Sequence, residues 1–219
     1  MTVSSHEQIR QPSVYDLWLS EAERLAIPNT YLSNMEVFLS EMKTHHEDTY
    51  EHSMRVGILA SKISLYVPEF ESFSPRALFY AGSMHDRGKL KIPKELLVKT
   101  TEWTEEDAQA LRIHPIDSYE AISEEGMTLT ANVVILHHTF QTNPYPVEFS
   151  APDSRLPEHL RKLVPVLGRT LALADFYDAC HRKNSIGNLS DEEIRTKMYQ
   201  FNPDKSELID KLYAASIFV

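Results

Sequence analysis

The segment "ALFYAGSMHDRGKLKIPKELL", residues 77–97, joins an apolar run to a cluster of basic residues through the dipeptide His85-Asp86. The helical spacing of its apolar residues predicts a helix that ends at this pair, and Pro93 is expected to open a short helix after it. A soluble domain gains little from an imidazole and a carboxylate side by side at the end of a core helix. The segment is therefore either a solvated helix end or half of a site that binds metal and phosphate.

The composition is that of a helical globular protein. The chain has 219 residues, 42% of them hydrophobic and only six of them glycine, which favours one domain plus a terminal extension, built from helices. The formal net charge of −10 argues against general binding of a nucleic acid polymer or of an anionic membrane. Five basic residues against one acidic residue between Arg87 and Lys99 are thus a local exception.

The cysteine count and the absence of long apolar runs indicate the cellular compartment. The single cysteine, Cys180, excludes an intramolecular disulfide and suits a reducing cytosol. The first 18 residues lack the apolar core of a secretory signal, and no apolar run reaches the roughly 20 residues that span a bilayer. We expect a cytoplasmic protein whose apolar tail "LYAASIFV", residues 212–219, packs against the core or a partner.

Apolar periodicity and helix-end signals predict an all-α chain. The residues 130–138, "TANVVILHH", also fit a strand, but their helical neighbours favour a helix. Four prolines predict a long loop over residues 139–158. Helices are predicted at residues 14–27, 48–66, 74–86, 94–99, 116–124, 130–138 and 164–181. Three more are predicted from their ends: one that Asn34 caps, one that runs from Thr104 to His114-Pro115, and a last helical region that Ser190 caps with Glu193.

The residues that could carry chemistry are histidines and aspartates at helix ends and in apolar helices. Taken singly, each has a structural interpretation, such as a half-exposed helix histidine or a solvated basic face. Taken together they form a mixed nitrogen and oxygen donor set suited to Fe, Mn or Zn. One ion could be held by His52, His85, Asp86 and Asp175, and a second by His114, His137 and His138, with Asp86 bridging. Two such ions activate a water and clamp a phosphoryl oxygen. Spacing alone leaves the metal site and its absence equally open.

Five segments resemble, in order, the sequence blocks of the HD-GYP subgroup of the HD-domain phosphohydrolases. They are "EHSMRVG" (51–57), "GSMHDRGKLKIPKELLVK" (82–99), "TEEDAQALRIHPIDSYEAI" (104–122), "VVILHHTFQTNPYP" (133–146) and "LALADFYDA" (171–179). The resemblance covers about residues 46–182. It implies an all-α HD-domain helical bundle with C-terminal helices at residues 46–219, preceded by an N-terminal helical extension at residues 1–45.

The resemblance also implies roles for particular residues. Asp86 and Lys89 match the catalytic positions, with Lys89 beside the substrate phosphate and the catalytic water. The family metals are often iron or manganese, and its best-known activity is hydrolysis of cyclic di-GMP. The implied ligands are His52, His85, Asp86 and Asp175 for one metal ion, and Asp86, His114, His137 and His138 for the other.

Three features depart from the family pattern. The Gly-Tyr-Pro motif is here Pro144-Tyr145-Pro146, and because proline fixes φ and lacks an N–H, the loop must follow another path. Asp48 stands where some members have a glutamate that binds a third metal ion, and its shorter side chain weakens the case for that ion. The segment after Asp175 is shorter than usual. Tyr145, Arg182 and Lys183 are the remaining candidates for binding substrate.

The leading hypothesis is a metal-dependent phosphodiesterase that acts on a small phosphate ester, with a cyclic dinucleotide such as cyclic di-GMP as the first candidate. The altered loop favours a second hypothesis, a catalytically degenerate binding or signalling module. A nucleotide phosphohydrolase of the wider HD superfamily is a third. The first 45 residues show no receiver or other sensor pattern. A homodimer or a signalling-protein partner stays open.

Overall fold

The computed structural model describes residues 11–147, 152–182 and 189–219, and within these ranges the regular structure is entirely helical. The all-α prediction is confirmed. Among the helices of the described ranges, none combines the length and the apolar character of a membrane-spanning segment. The α-helices are α1 (Val14–Arg24), α2 (Asn29–His45), α3 (Glu47–Ile63), α4 (Ser74–Met84), α5 (Lys94–Leu97), α6 (Glu105–Arg112), α7 (His114–Glu124), α8 (Thr128–Val134), α9 (Glu158–His181), α10 (Asp191–Phe201) and α11 (Ser206–Ala214). Three 3-10 helices cover Ser64–Tyr66, Arg87–Lys91 and Pro203–Lys205.

Capping explains where several helices begin. At the start of α6, the Thr104 hydroxyl accepts a hydrogen bond from the Asp107 N–H, while the Asp107 carboxylate accepts one from the Thr104 N–H. Ser190 and Glu193 form the same capping box at the start of α10, which confirms the predicted cap of the last helical region. Each box satisfies two backbone donors that the first helical turn would leave without partners.

Some predicted helix starts are wrong. Helix α2 begins at Asn29, not near Asn34, because the Pro28 carbonyl already accepts the N–H groups of the first turn. Helix α7 begins at His114, not Ile116, since a proline in the first turn costs no hydrogen bond. Helix α9 begins at Glu158, not Val164, and an ion pair of 2.7 Å between Glu158 and Lys162 supports its exposed first turn.

Helices α3 and α4 form the centre of the bundle, and α1, α2, α8 and α9 pack around them. The Trp18 ring of α1 stacks on Phe79 with centroids 5.4 Å apart, and its indole N–H donates to Ser83 Oγ at 2.8 Å. Met35 and Phe38 of α2 belong to the same hydrophobic core, so the first two helices share it with the other described helices. At the other end, the buried Phe218 ring stacks on Tyr177 at 4.0 Å, so the apolar tail packs on the core.

Gly57 and Gly82 allow α3 and α4 to touch through their backbones. A Cβ at Gly82 would lie 2.6 Å from the Gly57 Cα and 2.8 Å from the Val56 carbonyl carbon. Backbone atoms cannot rotate out of the way, so a larger residue would have to push the helices apart. The close approach matters for the site described next, because α3 carries His52 and α4 ends at His85.

We expect Gly82→Ala to lower the free energy of unfolding by about 1–3 kcal/mol, the usual cost of overpacking. In an unhindered helix the same change would stabilise the protein by up to about 1 kcal/mol, so the sign of the effect is diagnostic. Urea denaturation followed by circular dichroism measures it. Ser40→Ala, at an exposed position of α2, is the control and should change stability by less than about 0.5 kcal/mol. A stabilised Gly82→Ala variant would contradict the proposed backbone contact.

Candidate metal centre

The structure brings all seven predicted ligand side chains into one cluster. They come from separate parts of the chain, and the close contact of α3 with α4 sets the His52 and His85 rings 5.1 Å apart. Six of the side chains are buried and His138 is half-buried. The seven are His52 on α3, His85 and Asp86 at the end of α4, His114 at the start of α7, His137 and His138 just after α8, and Asp175 within α9.

Asp86 lies between the two predicted halves of the cluster. Its Oδ2 is 3.5 Å from His85 Nε2 and 3.8 Å from His52 Nε2. Its Oδ1 lies 3.3 Å from His114 Nε2, on the other side. Because each carboxylate oxygen faces a different group of imidazoles, this geometry suits a bridging ligand.

The remaining ligand candidates complete both halves. Asp175 Oδ1 lies 3.1 Å from His52 Nε2 and 3.7 Å from His85 Nε2, and Asp175 Oδ2 lies 4.0 Å from His138 Nδ1. The donor atoms of His114, His137 and His138 all lie within 4.8 Å of one another, and the same holds for His52, His85 and Asp86. Both groups could therefore close around an ion.

Hydrogen bonds to main-chain carbonyls fix how three of the imidazoles face the cluster. The Nδ1–H groups of His85, His114 and His137 donate to the carbonyls of residues 82, 111 and 134, at 2.8, 2.6 and 2.5 Å. Each ring therefore turns its Nε2 atom toward the centre, as a metal-binding histidine does.

Several ring nitrogens and one carboxylate oxygen in the cluster present a lone pair without a hydrogen-bond donor to satisfy it. The Nε2 atoms of His114 and His137 are 3.1 Å apart, and with both Nδ1 atoms protonated their lone pairs face each other. His85 Nε2 and Asp86 Oδ1 are buried without a hydrogen-bond partner. Such atoms are costly unless something satisfies them. Two imidazole lone pairs and an anionic oxygen turned inward fit divalent cations.

Burial keeps one group of imidazoles neutral. It lowers the pKa of His137 to about 4, and it also holds the pKa values of His114 and His138 well below their ordinary value. The positive charge of Lys89 adds to this effect at His114. These three rings are therefore unprotonated at neutral pH, which is the state in which a histidine binds metal.

The carboxylates of the cluster are ionised. Burial alone would raise the pKa of Asp86, but His85 and Lys89 outweigh it and hold that pKa well below the ordinary range. The imidazoles of His52 and His85, 3.1 and 3.7 Å away, likewise lower the pKa of Asp175, against the effect of burial. Burial also works against a charged His85, yet the two carboxylates raise its pKa. The negative charges thus attract a cation to this half of the cluster.

The glycine in "HDRGK" permits a close backbone contact beside the cluster. The Gly88 N–H donates to Ser118 Oγ at 2.7 Å, and the Ser118 hydroxyl donates to the His85 carbonyl at 2.7 Å. A Cβ at Gly88 would collide with the His114 carbonyl oxygen. The glycine therefore lets the 3-10 helix Arg87–Lys91 lie against α7, which carries His114.

Lys89 points into the cluster, whereas other basic residues of its segment do not. Lys89 Nζ lies 2.6 Å from Asp86 Oδ2. By contrast, Arg87 pairs with Glu125 and Lys91 with Asp117, both at 2.6 Å, and Lys99 pairs with Asp107. Of these basic residues, Lys89 is therefore the one whose charge faces the cluster. The counter-charges come from α6, α7 and the residue after α7.

The Pro-Tyr-Pro loop places a phenol next to the cluster. The Tyr145 ring lies 4.5 Å from the His138 ring with planes 30° apart, and the Tyr145 N–H donates to the His138 carbonyl at 3.3 Å. The Tyr145-Pro146 peptide bond is cis. Burial raises the pKa of Tyr145, so its hydroxyl keeps its proton at neutral pH.

The other substrate and metal candidates lie outside the cluster. Asp48 is exposed and is not part of the donor groups found among the described residues. With Glu51, Arg55 and Arg182 it lines a cleft of about 330 Å³. Lys183 lies outside the described residues.

Asp178, which the sequence analysis missed, orients a predicted ligand. His52 Nδ1 donates to Asp178 Oδ2 at 2.7 Å, and Arg55 Nε and Nη2 hold the same carboxylate at 2.7 and 3.1 Å. A carboxylate behind an imidazole fixes its tautomer and raises its basicity toward a metal. The signal was present in the sequence, since Asp178 follows Asp175 by one helical turn, but its partner lies 126 residues away.

The chain is similar to a known domain family and to several characterised proteins. A family model described as "HD domain" matches residues 49–180, which include all seven clustered side chains. A "Cyclic di-GMP phosphodiesterase" of Vibrio cholerae is 22% identical over 184 residues, covering 70% of this chain and 35% of that protein. One from Thermotoga maritima is 26% identical over 136 residues, covering 60% of this chain and 34% of that protein.

A third relative, a cyclic di-GMP phosphodiesterase of Pseudomonas aeruginosa, is 27% identical over 161 residues, covering 72% of this chain and 35% of that protein. The chain thus spans about a third of the length of the curated relatives it matches.

Proposed function

Because the chain belongs to the HD domain family, we propose that it is a metal-dependent phosphodiesterase of the HD-GYP type whose substrate is a cyclic dinucleotide such as cyclic di-GMP. The observation that carries the proposal is the position of Asp86, with each carboxylate oxygen facing a different group of imidazoles. The names of the similar proteins support the choice of substrate.

We further propose an N-terminal extension at residues 1–45, the catalytic domain at residues 46–219, and a cytoplasmic location.

The donor chemistry supports two divalent ions, iron or manganese, because both accept mixed imidazole and carboxylate ligands. Bound there, the ions would supply Lewis acidity and a water of lowered pKa. Asp48, outside the cluster, is not part of this proposal. The first ion is assigned to His52, His85, Asp86 and Asp175, and the second to Asp86, His114, His137 and His138.

The chain's own side chains would bind and orient the phosphodiester. Lys89, whose ammonium group already lies at the Asp86 carboxylate, offsets the negative charge that builds on the phosphoryl oxygens. The protonated Tyr145 hydroxyl can donate a hydrogen bond beside His138. Arg182, in the neighbouring cleft, offers a planar fork of donors to a second phosphate.

One observation favours a second candidate, a binding or signalling module without turnover. Pro144 replaces the glycine of the family motif, so this position lacks the N–H that a substrate contact through that backbone would need. The ligand cluster and Lys89 would then serve recognition alone. A nucleotide phosphohydrolase would use the same cluster on another phosphate ester.

Anaerobic purification followed by elemental analysis and turnover assays on the same sample separates these functions. We expect two metal ions per chain and hydrolysis of both cyclic di-GMP and bis-p-nitrophenyl phosphate, lost on chelation and restored by Mn²⁺ or Fe²⁺. Hydrolysis of only the generic diester would favour another phosphate ester as substrate. Two bound metals without turnover would favour the binding module. A protein that takes up no metal under any loading condition would contradict the phosphodiesterase and the metal-holding binding module alike.

A further inference from the structure

A cavity of about 290 Å³ lies beside His137, between the loop after the paired histidines and the helices α9 and α10. The loop contributes Phe140 and two carboxamides, Gln141 and Asn143. Residues 169, 172 and 176 of α9 form the opposite wall, and the end of α10 closes the cavity. The cavity therefore shares a wall with the metal centre.

The lining of this cavity is aromatic. Phe140, Phe176 and Phe201 come from three different elements, and the rings of the latter two lie 5.6 Å apart with planes inclined by 52°. Phe140 is 37% exposed and Phe201 is 43% exposed, which leaves ring surface open at the rim. Faces of aromatic rings bind planar heterocycles by stacking.

The charges around the cavity argue against a phosphate as its occupant. Of the described residues that line it, Arg169 alone carries a fixed charge. Its guanidinium group is held by Asp204 at 2.7 and 3.0 Å and by Asn202 at 3.0 Å, and it lies over the Phe140 ring. Because this charge is already neutralised, the cavity suits an uncharged, flat group. The carboxamides of Gln141 and Asn143 offer donors and acceptors to the edge of such a group.

We propose that this cavity binds one purine base of the substrate. The inference rests on the proposed function, which places the attached phosphate at Lys89 and the metal ligands. A volume near the lower end for ligand cavities fits one fused ring rather than a whole dinucleotide. Gln141 Nε2 also lies 2.5 Å from His138 Nδ1, so the same loop contacts both the base and a metal-ligand candidate.

Direct binding of GMP and of ribose 5-phosphate to the Mn²⁺-loaded protein tests this cavity without requiring turnover. Stacking of one base is worth about fivefold to a hundredfold in affinity, so GMP should bind at least fivefold more tightly than ribose 5-phosphate. Phe201→Ala should remove most of that difference and leave ribose 5-phosphate binding unchanged. Phe140→Leu, on a different element, should have the same effect. Tyr31→Ala, a ring of α2 that is also 43% exposed, is the matched control and should leave both affinities unchanged.

Equal affinities of the unmodified protein for GMP and ribose 5-phosphate would overturn the inference. So would variants of Phe201 and Phe140 that bind GMP as well as the unmodified protein does. Both failures are separable from failure of the proposed function. A protein that hydrolyses bis-p-nitrophenyl phosphate yet ignores the base keeps its function and loses this subsite. A protein with a base-dependent affinity for GMP and no hydrolysis keeps the subsite and loses the proposed activity.

Discussion

Asp86→Asn is expected to remove both bound metal ions and phosphodiesterase activity, with kcat reduced at least about a thousandfold. Asparagine keeps the shape of the side chain but replaces an anionic oxygen by an NH₂ group. The two oxygens of Asp86 face His85 on one side and His114 on the other, at 3.5 and 3.3 Å. Loss of metal-based charge stabilisation costs several kcal/mol in the transition state, which corresponds to that reduction in rate.

Elemental analysis, steady-state kinetics and far-ultraviolet circular dichroism on one preparation measure the effect of Asp86→Asn. The helical signal should stay largely intact, because the bundle is held by its apolar core. Asp210→Asn is the matched control, since Asp210 is an exposed aspartate of α11 that accepts a hydrogen bond from Tyr199. It should leave metal content and rate unchanged. An Asp86→Asn protein with full metal content and full activity would refute the assignment of this cluster.

Much of the cluster could be predicted because ligand types and chain order are local properties of a sequence. His85-Asp86 falls at a helix end, and the paired histidines follow an apolar run, so the elements that present them could be inferred without tertiary contacts. Their donor types already suggested two sets, the resemblance implies the same two sets, and the structure brings these residues together. The all-α class likewise followed from the spacing of apolar residues.

What sequence reasoning missed depends on contacts between distant segments. Asp178 gains its role only because α9 packs against α3 and brings its carboxylate to His52. The pairing of Arg87 and Lys91 with acidic residues depends in the same way on how the 3-10 helix docks on α7. The start of α2 was misplaced for a local reason. Asn34 is an equally plausible cap in isolation, and the Pro28 carbonyl that accepts the first N–H groups of α2 is not a strong sequence signal.

Lys89→Met is expected to reduce kcat about 100- to 1000-fold while the metal ions stay bound, the usual cost of losing one charge-stabilising donor. Methionine keeps an unbranched apolar stem, so the change removes the ammonium group that lies 2.6 Å from Asp86 Oδ2. That ammonium group also competes with a cation for the carboxylate, so metal affinity should hold or rise.

Metal content and kcat measured together separate this role from a structural one. Lys94→Met, a change at an exposed lysine five residues further along, is the control and should leave kcat unaltered. If Lys89→Met instead loses its metal along with its activity, the lysine positions Asp86 rather than the phosphate. If kcat persists undiminished with metal bound, the charge that stabilises the phosphoryl oxygens must come from elsewhere, and Arg182 in the adjoining cleft becomes the side chain to change next.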